Sequence, residues 1–273
     1  MANGRFRRQR DPDGRMSLGD HLRELRRRVL IAGAAVFLGA IAGWFVYNPL
    51  LNRLSQPVDE LNLQRGANFA KLNFGNLTDP FAVHTTVALF VGLVLASPVW
   101  LFQVWAFIVP GLTRREKRTS LVFIGTAVPL FLAGGWLAYI TLPKAVDALL
   151  SFTPDGSSNI LPAADYLNFV LKFILAFGLA FLLPVFLVGL NAAGVLPARI
   201  MVKSWRPAVF LIFLFAAVMT PSPDPWSMIV LAIPMVGLYF LAVGISFLLD
   251  RRRARRAPKT TWQDLPDDQA SPL

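Results

Sequence analysis

The chain has 273 residues, 55% of them hydrophobic, with a mean hydropathy of +0.53 and a formal net charge of +11. That usage is too apolar for a soluble globular domain and places the chain among polytopic membrane proteins. With no cysteine and two separated histidines, disulfides, thiol chemistry and thiolate metal sites are excluded, and neither a metal nor a cofactor is expected.

Residues 1–16 carry Arg5, Arg7, Arg8, Arg10 and Arg15 among Gly, Pro and Asp, too polar to fold alone, and are expected to be a disordered cytoplasmic tail. Arg7-Arg8 is not followed directly by an apolar region, so the segment does not read as an export signal. The first helix is predicted to start at Ser17, where Ser-x-x-Asp through Asp20 forms a capping box. Leu18, Leu22, Leu25 and Val29 share one face at helical spacing, while His21, Glu24 and Arg28 fall on another.

Apolar stretches predict membrane spans at 29–47, 81–103, 120–141, 166–190 and 226–249. A sixth, 207–219, is roughly 20 Å long at 1.5 Å per residue, against a hydrocarbon core of about 30 Å. It is counted because without it Arg251, Arg252, Arg253, Arg255 and Arg256 would lie outside, against the positive-inside rule. With six spans, Arg53, Arg65, Lys71 and Lys144 are the cations outside and Lys172 lies within the fourth span; the rest face the cytoplasm with both termini. One membrane domain, 17–249, is thus followed by a basic, then polar, tail at 250–273. The outer segment 48–80 is expected to form short surface helices, and the other outer loops, including Thr220–Pro225, caps and turns. Pro129, Pro184 and Pro234 fall inside spans and are expected to bend them into a concave surface, or simply to shape packing.

Between Ser97 and Arg118 the apolar pattern breaks at Pro98 and Pro110 and ends in Arg114, Arg115, Lys117 and Arg118. An uninterrupted helix between these prolines is not expected. Trp100, Trp105 and Phe107 suit a headgroup-level belt, and the cations a cytoplasmic loop. Glu116 sits among them, either neutralised by its neighbours or available to a cationic ligand. The cations of the whole chain lie in blocks beside apolar spans, a pattern for anionic lipid rather than nucleic acid. No Asp or Glu lies within a span, so an intramembrane proton or ion relay lacks its groups, and Lys172 can snorkel outward. Nucleotide-binding, hydrolase and metalloprotease motifs are absent, and with them an expected enzymatic activity.

Three motifs carry a resemblance: His21-Leu22-x-Glu24-Leu25-Arg26-x-Arg28; Ser97-Pro98-x-x-x-x-Gln103-x-Trp105-x-Phe107-Ile108-x-Pro110-Gly111-Leu112 with Glu116; and Ala138-Tyr139 with Pro143. They resemble the TatC family, multispanning receptors of the twin-arginine translocase, over about Ser17 to Leu249. The resemblance implies a subunit of the bacterial cytoplasmic membrane that exports folded proteins with TatA- and TatB-type single-span partners, homo-oligomerises in the complex, and draws on the proton-motive force. It implies signal-peptide binding by Glu24, Arg26, Phe107 and Glu116, supported by His21, Leu25, Pro98, Gln103, Trp105 and Pro110. Carboxylates suit this task because they accept guanidinium groups in bidentate, charge-assisted pairs. Glu24 has a plainer alternative as the i,i+4 partner of Arg28. One departure stands out: where many members have glutamate in the fourth span before a proline, this chain has Leu182 before Pro184, and Leu182 is expected to face a hydrated groove. The competing class is a secondary transporter or channel for a small solute, disfavoured by the missing intramembrane carboxylates and the lack of internal repeats.

Overall fold

The structure, a computed structural model, describes residues 18–66, 69–108, 116–154, 157–219 and 225–256. Its elements in order are α1 Leu18–Phe45, α2 Tyr47–Arg65, β1 Ala70–Asn73, α3 Asp79–Leu95, α4 Ser97–Ile108, α5 Glu116–Leu150, β2 Asn159–Pro162, α6 Ala163–Ala192, α7 Ala198–Lys203, α8 Trp205–Met219 and α9 Pro225–Arg256. Helices α1, α5, α6 and α9 are each long and apolar enough to cross a membrane, and α3 with α4 makes a fifth candidate, bent by 62°. Apolar α8 has 15 residues, about 22 Å at 1.5 Å per residue, and is too short to span without thinning the bilayer. The class is all-α and integral to the membrane. Ser17 and Thr220–Asp224, where a capping box and a rigid proline turn were expected, lie outside the described residues.

The expectation for the second span is corrected in two respects. Residues 81–103 are not one helix: the chain turns at Ala96, between α3 and α4. From Ser97 to Ile108, by contrast, helix is continuous, because Pro98 sits in the first turn, where a missing N–H costs nothing. The indole of Trp100 spans the bend, its Nε1 donating to the Leu93 carbonyl at 3.0 Å. That carbonyl belongs to the last turn of α3, where helix acceptors lose their intrahelical partners. Helix α5 overruns the predicted 120–141 at both ends and contains Pro129 and Pro143. Interior prolines are tolerated in membrane helices because neighbouring groups satisfy the freed carbonyls.

The described residues within Met1–Leu132 and Thr153–Leu171 form one compact unit. Here α1 packs on α3 and α4. Small residues allow the close approach of α1 to α3: a Cβ on Gly39 would stand 2.9 Å from the Gly92 Cα, and one on Gly43 2.6 Å from the Ala88 carbonyl oxygen. At the far end of α1, the His84 ring stacks on Trp44 at 4.0 Å and on Tyr47 at 3.9 Å, and its Nε2 donates to the Trp44 carbonyl at 3.0 Å. The segment 48–80, expected outside, contains one 19-residue helix, α2, which buries Leu54, Val58 and Leu61 and exposes Leu63. The buried Tyr166 hydroxyl ties α6 to it, donating to the Leu54 carbonyl at 2.8 Å. Strands β1 and β2 pair in parallel, Ala70 with Asn159 through Asn73 with Pro162, where a surface helix was expected for β1 and caps and turns for β2. The Asn62 side chain also takes both main-chain groups of Ala70, accepting from its N–H at 2.9 Å and donating to its carbonyl at 2.8 Å.

The second unit contains the described residues of Ala133–Phe152 and Lys172–Leu273. A Cβ on Gly134 would collide with the Phe177 backbone, so α5 and α6 meet closely there. The Tyr239 hydroxyl donates to the Met201 carbonyl at 2.6 Å, joining α9 to α7. Helix α9 continues through the arginines expected in a separate tail. On it, Asp250 accepts from the Ala198 N–H at 2.9 Å and from Asn191 Nδ2 at 3.1 Å, while Arg253 donates to the carbonyls of Asn191, at 2.8 Å, and Ala192. One residue thus caps the start of α7 and the other the end of α6. Leu182 is 3% exposed, which corrects the expectation that it faces a hydrated groove: it is packed in protein, where an apolar side chain needs no partner.

Candidate functional site

The start of α1 and the end of α4 converge. Helical spacing stacks His21, Glu24 and Arg28 on one side of α1, and α4 brings Gln103 and Phe107, four residues apart, to meet them. The His21 and Phe107 rings lie 4.6 Å apart, tilted by 32°. Arg28 Nη2 donates to Glu24 Oε1 at 2.6 Å, and Arg28 Nη1 to Gln103 Oε1 at 3.3 Å. Polar and aromatic contacts together therefore fasten the two helices, and Glu24, with its side chain 36% exposed, remains reachable from solvent.

The remaining expected residues are placed differently. Arg26, two residues beyond Glu24 and so about 200° round a helix of 3.6 residues per turn, is exposed on another face, and Leu25 is exposed. Pro98 is exposed at the start of α4. Trp105 does not face a headgroup belt: it is 2% exposed and stacks on Phe123 of α5, centroids 4.0 Å apart at 17°. A large ring with a stacking partner gains more from burial there than at an interface. Glu116 opens α5, but its side chain and the whole of Pro110 lie outside the described residues. Arg28 was not among the expected site residues, although its i,i+4 spacing from Glu24 was the available signal. Among the described residues no group of His, Asp and Glu could hold a metal ion.

The family model for TatC, the Sec-independent protein translocase protein, matches residues 20–234, which include both helices of this cluster. The chain belongs to the TatC family. It is 47% identical over 242 residues to the TatC protein of Xylanimonas cellulosilytica, covering 89% of this chain and 87% of that protein. It is 36% identical over 251 residues to TatCy of Bacillus subtilis, covering 91% and 94%. Among solved structures, a crystal structure of the twin-arginine translocase receptor TatC superposes with a TM-score of 0.68 at 31% identity, over 84% of this chain and 98% of that one. This TatC-family chain is accordingly a multi-pass membrane protein and a subunit of a twin-arginine protein translocase, the class its motifs indicated.

Proposed function

We propose that this chain is the subunit that receives twin-arginine signal peptides. With TatA- and TatB-type single-span partners and further copies of itself, it exports folded proteins across the bacterial cytoplasmic membrane at the expense of the proton-motive force. The reading rests on the cluster in which Arg28 joins Glu24 to Gln103 while His21, on the same side of α1, meets Phe107. A partly exposed carboxylate in a cluster that also holds aromatic rings suits a guanidinium, which can pair with the acid through its fork and stack on a ring through its face. Glu116 supplies a second carboxylate at the start of α5; Arg26 joins this surface on the family resemblance alone. The cluster faces the cytoplasm if α8 crosses as a sixth span, leaving both termini on that side with the basic blocks against anionic lipid.

The test is binding of a twin-arginine signal peptide to the purified chain. Glu24→Ala and Glu116→Gln should each weaken binding by roughly 10- to 100-fold, the range of hydrogen bonds to charged groups. The two losses should be non-additive if both acids hold one arginine pair. Parental affinity in both variants would overturn the reading.

A further inference from the structure

We propose that Arg28 is an internal stand-in for the incoming arginine. In the empty chain it occupies the Glu24 carboxylate, and the signal's guanidinium must displace it, which sets both the affinity and the preference for arginine over lysine. The inference rests on the assignment of Glu24 as a receptor carboxylate.

Three observations carry it. The Glu24 oxygen lies 2.6 Å from Arg28 Nη2, as short as charge-assisted pairs become, so the acid is already gripped by a cation of the kind it is assigned to receive. The grip is one-handed. Nη2 and Nε share an edge of the guanidinium and together form the fork that holds a carboxylate bidentately, yet Nε is buried with no hydrogen-bond partner among the described residues. Finally, Nη1 reaches Gln103 Oε1 on α4 at 3.3 Å, a long hydrogen bond that gives Arg28 a neutral acceptor to keep after losing the acid.

These features make the pair exchangeable. Arg28 has a side chain 19% exposed and approaches from the buried side, whereas Glu24 is 36% exposed and open to an arriving peptide. A signal arginine can close both halves of a fork on the carboxylate, replacing one strong bond with two. Lysine has no fork: its ammonium trades one single-handed contact for another and gains nothing over Arg28. Selection for arginine then arises from competition within the empty site as well as from contacts in the filled one.

The experiment titrates a fluorescent twin-arginine signal peptide and its twin-lysine counterpart into the detergent-solubilised full chain. The proteins compared are the parent, Arg28→Gln, Glu24→Gln and the double variant. Arg28→Gln should bind the twin-arginine peptide roughly two- to fivefold more tightly, the scale of a partly exposed ion pair, with a smaller preference over lysine. The gain should vanish in the Glu24→Gln background. Unchanged or weaker binding by Arg28→Gln, with Glu24→Gln impaired, overturns this inference alone, as does a gain that survives without Glu24. Parental binding by Glu24→Gln overturns the receptor assignment and this inference with it. Should Arg28→Gln fail to fold, Arg28→Lys keeps the charge without the fork; a smaller gain of the same sign supports the displacement, and any loss overturns it.

Discussion

Leu182 and Arg253 show how far a residue's neighbours outrun its type. Leu182 is buried, so Leu182→Glu should leave an ionisable group packed in protein without a partner. We expect a lower yield of folded protein and a reduced thermal midpoint in fluorescence-detected size exclusion; the insertion cost alone is about 2.5 to 3.5 kcal/mol. Arg253 stands in a run with Arg251, Arg252 and Arg255 that reads as one basic block, yet it holds two carbonyls at the end of α6, about sixty residues earlier. Arg253→Gln should therefore destabilise the chain by about 1 to 3 kcal/mol, and Arg252→Gln by less than about 0.5 kcal/mol. Equal thermal shifts in the two would contradict this assignment. No local pattern could have separated them, since the difference lies entirely in what α6 leaves unpaired. Glu24 was legible because a carboxylate at i,i+4 from an arginine inside a recognisable motif needs only helical spacing to be placed.

Among the elements, the break between α3 and α4 was signalled in the sequence by Pro98 but put on the wrong side of it. A proline opens a helix as readily as it closes one, and the choice depends on what meets the carbonyls upstream. Here Trp100 does so through Leu93. Trp100→Phe keeps the ring and removes the donor, and should cost about 1 kcal/mol with a parallel loss of peptide affinity if the bend positions α4. A thermal melt and the peptide titration check both. Gly92 is legible only in the structure, since a Cβ there meets the α1 backbone at Val36 and Ala40. Gly92→Val should push α1 from α3 and destabilise by about 1 to 3 kcal/mol, read as a lower thermal midpoint. The two strands escaped the sequence reading for a simple reason: four residues each, with Asn and Pro at their ends, give no alternation long enough to distinguish a strand from a loop.

For the molecule as a whole, hydropathy and charge carried most of the class, because a membrane leaves few solutions for a chain this apolar. The basic blocks give a prediction at the same scale. Replacing Arg251, Arg252 and Arg255 with glutamine, with Arg253 kept, should reduce correct insertion by protease accessibility and weaken association with anionic vesicles, at about 1 kcal/mol per cation. Unchanged orientation and vesicle binding would remove this block from the topology argument. The bend at Ala96 has a mechanical consequence. Helix α4 has 12 residues and is about 18 Å long at 1.5 Å per residue, so any rotation at the bend would be amplified along it. A rotation of about 10° there carries Phe107, near the far end, through roughly 3 Å and Gln103, midway along, through roughly 2 Å. A shift of that size at Gln103 is enough to break its hydrogen bond with Arg28, already long at 3.3 Å. An angular change too small to disturb the packing of α3 on α1 is therefore large enough to make or break the contacts around Glu24.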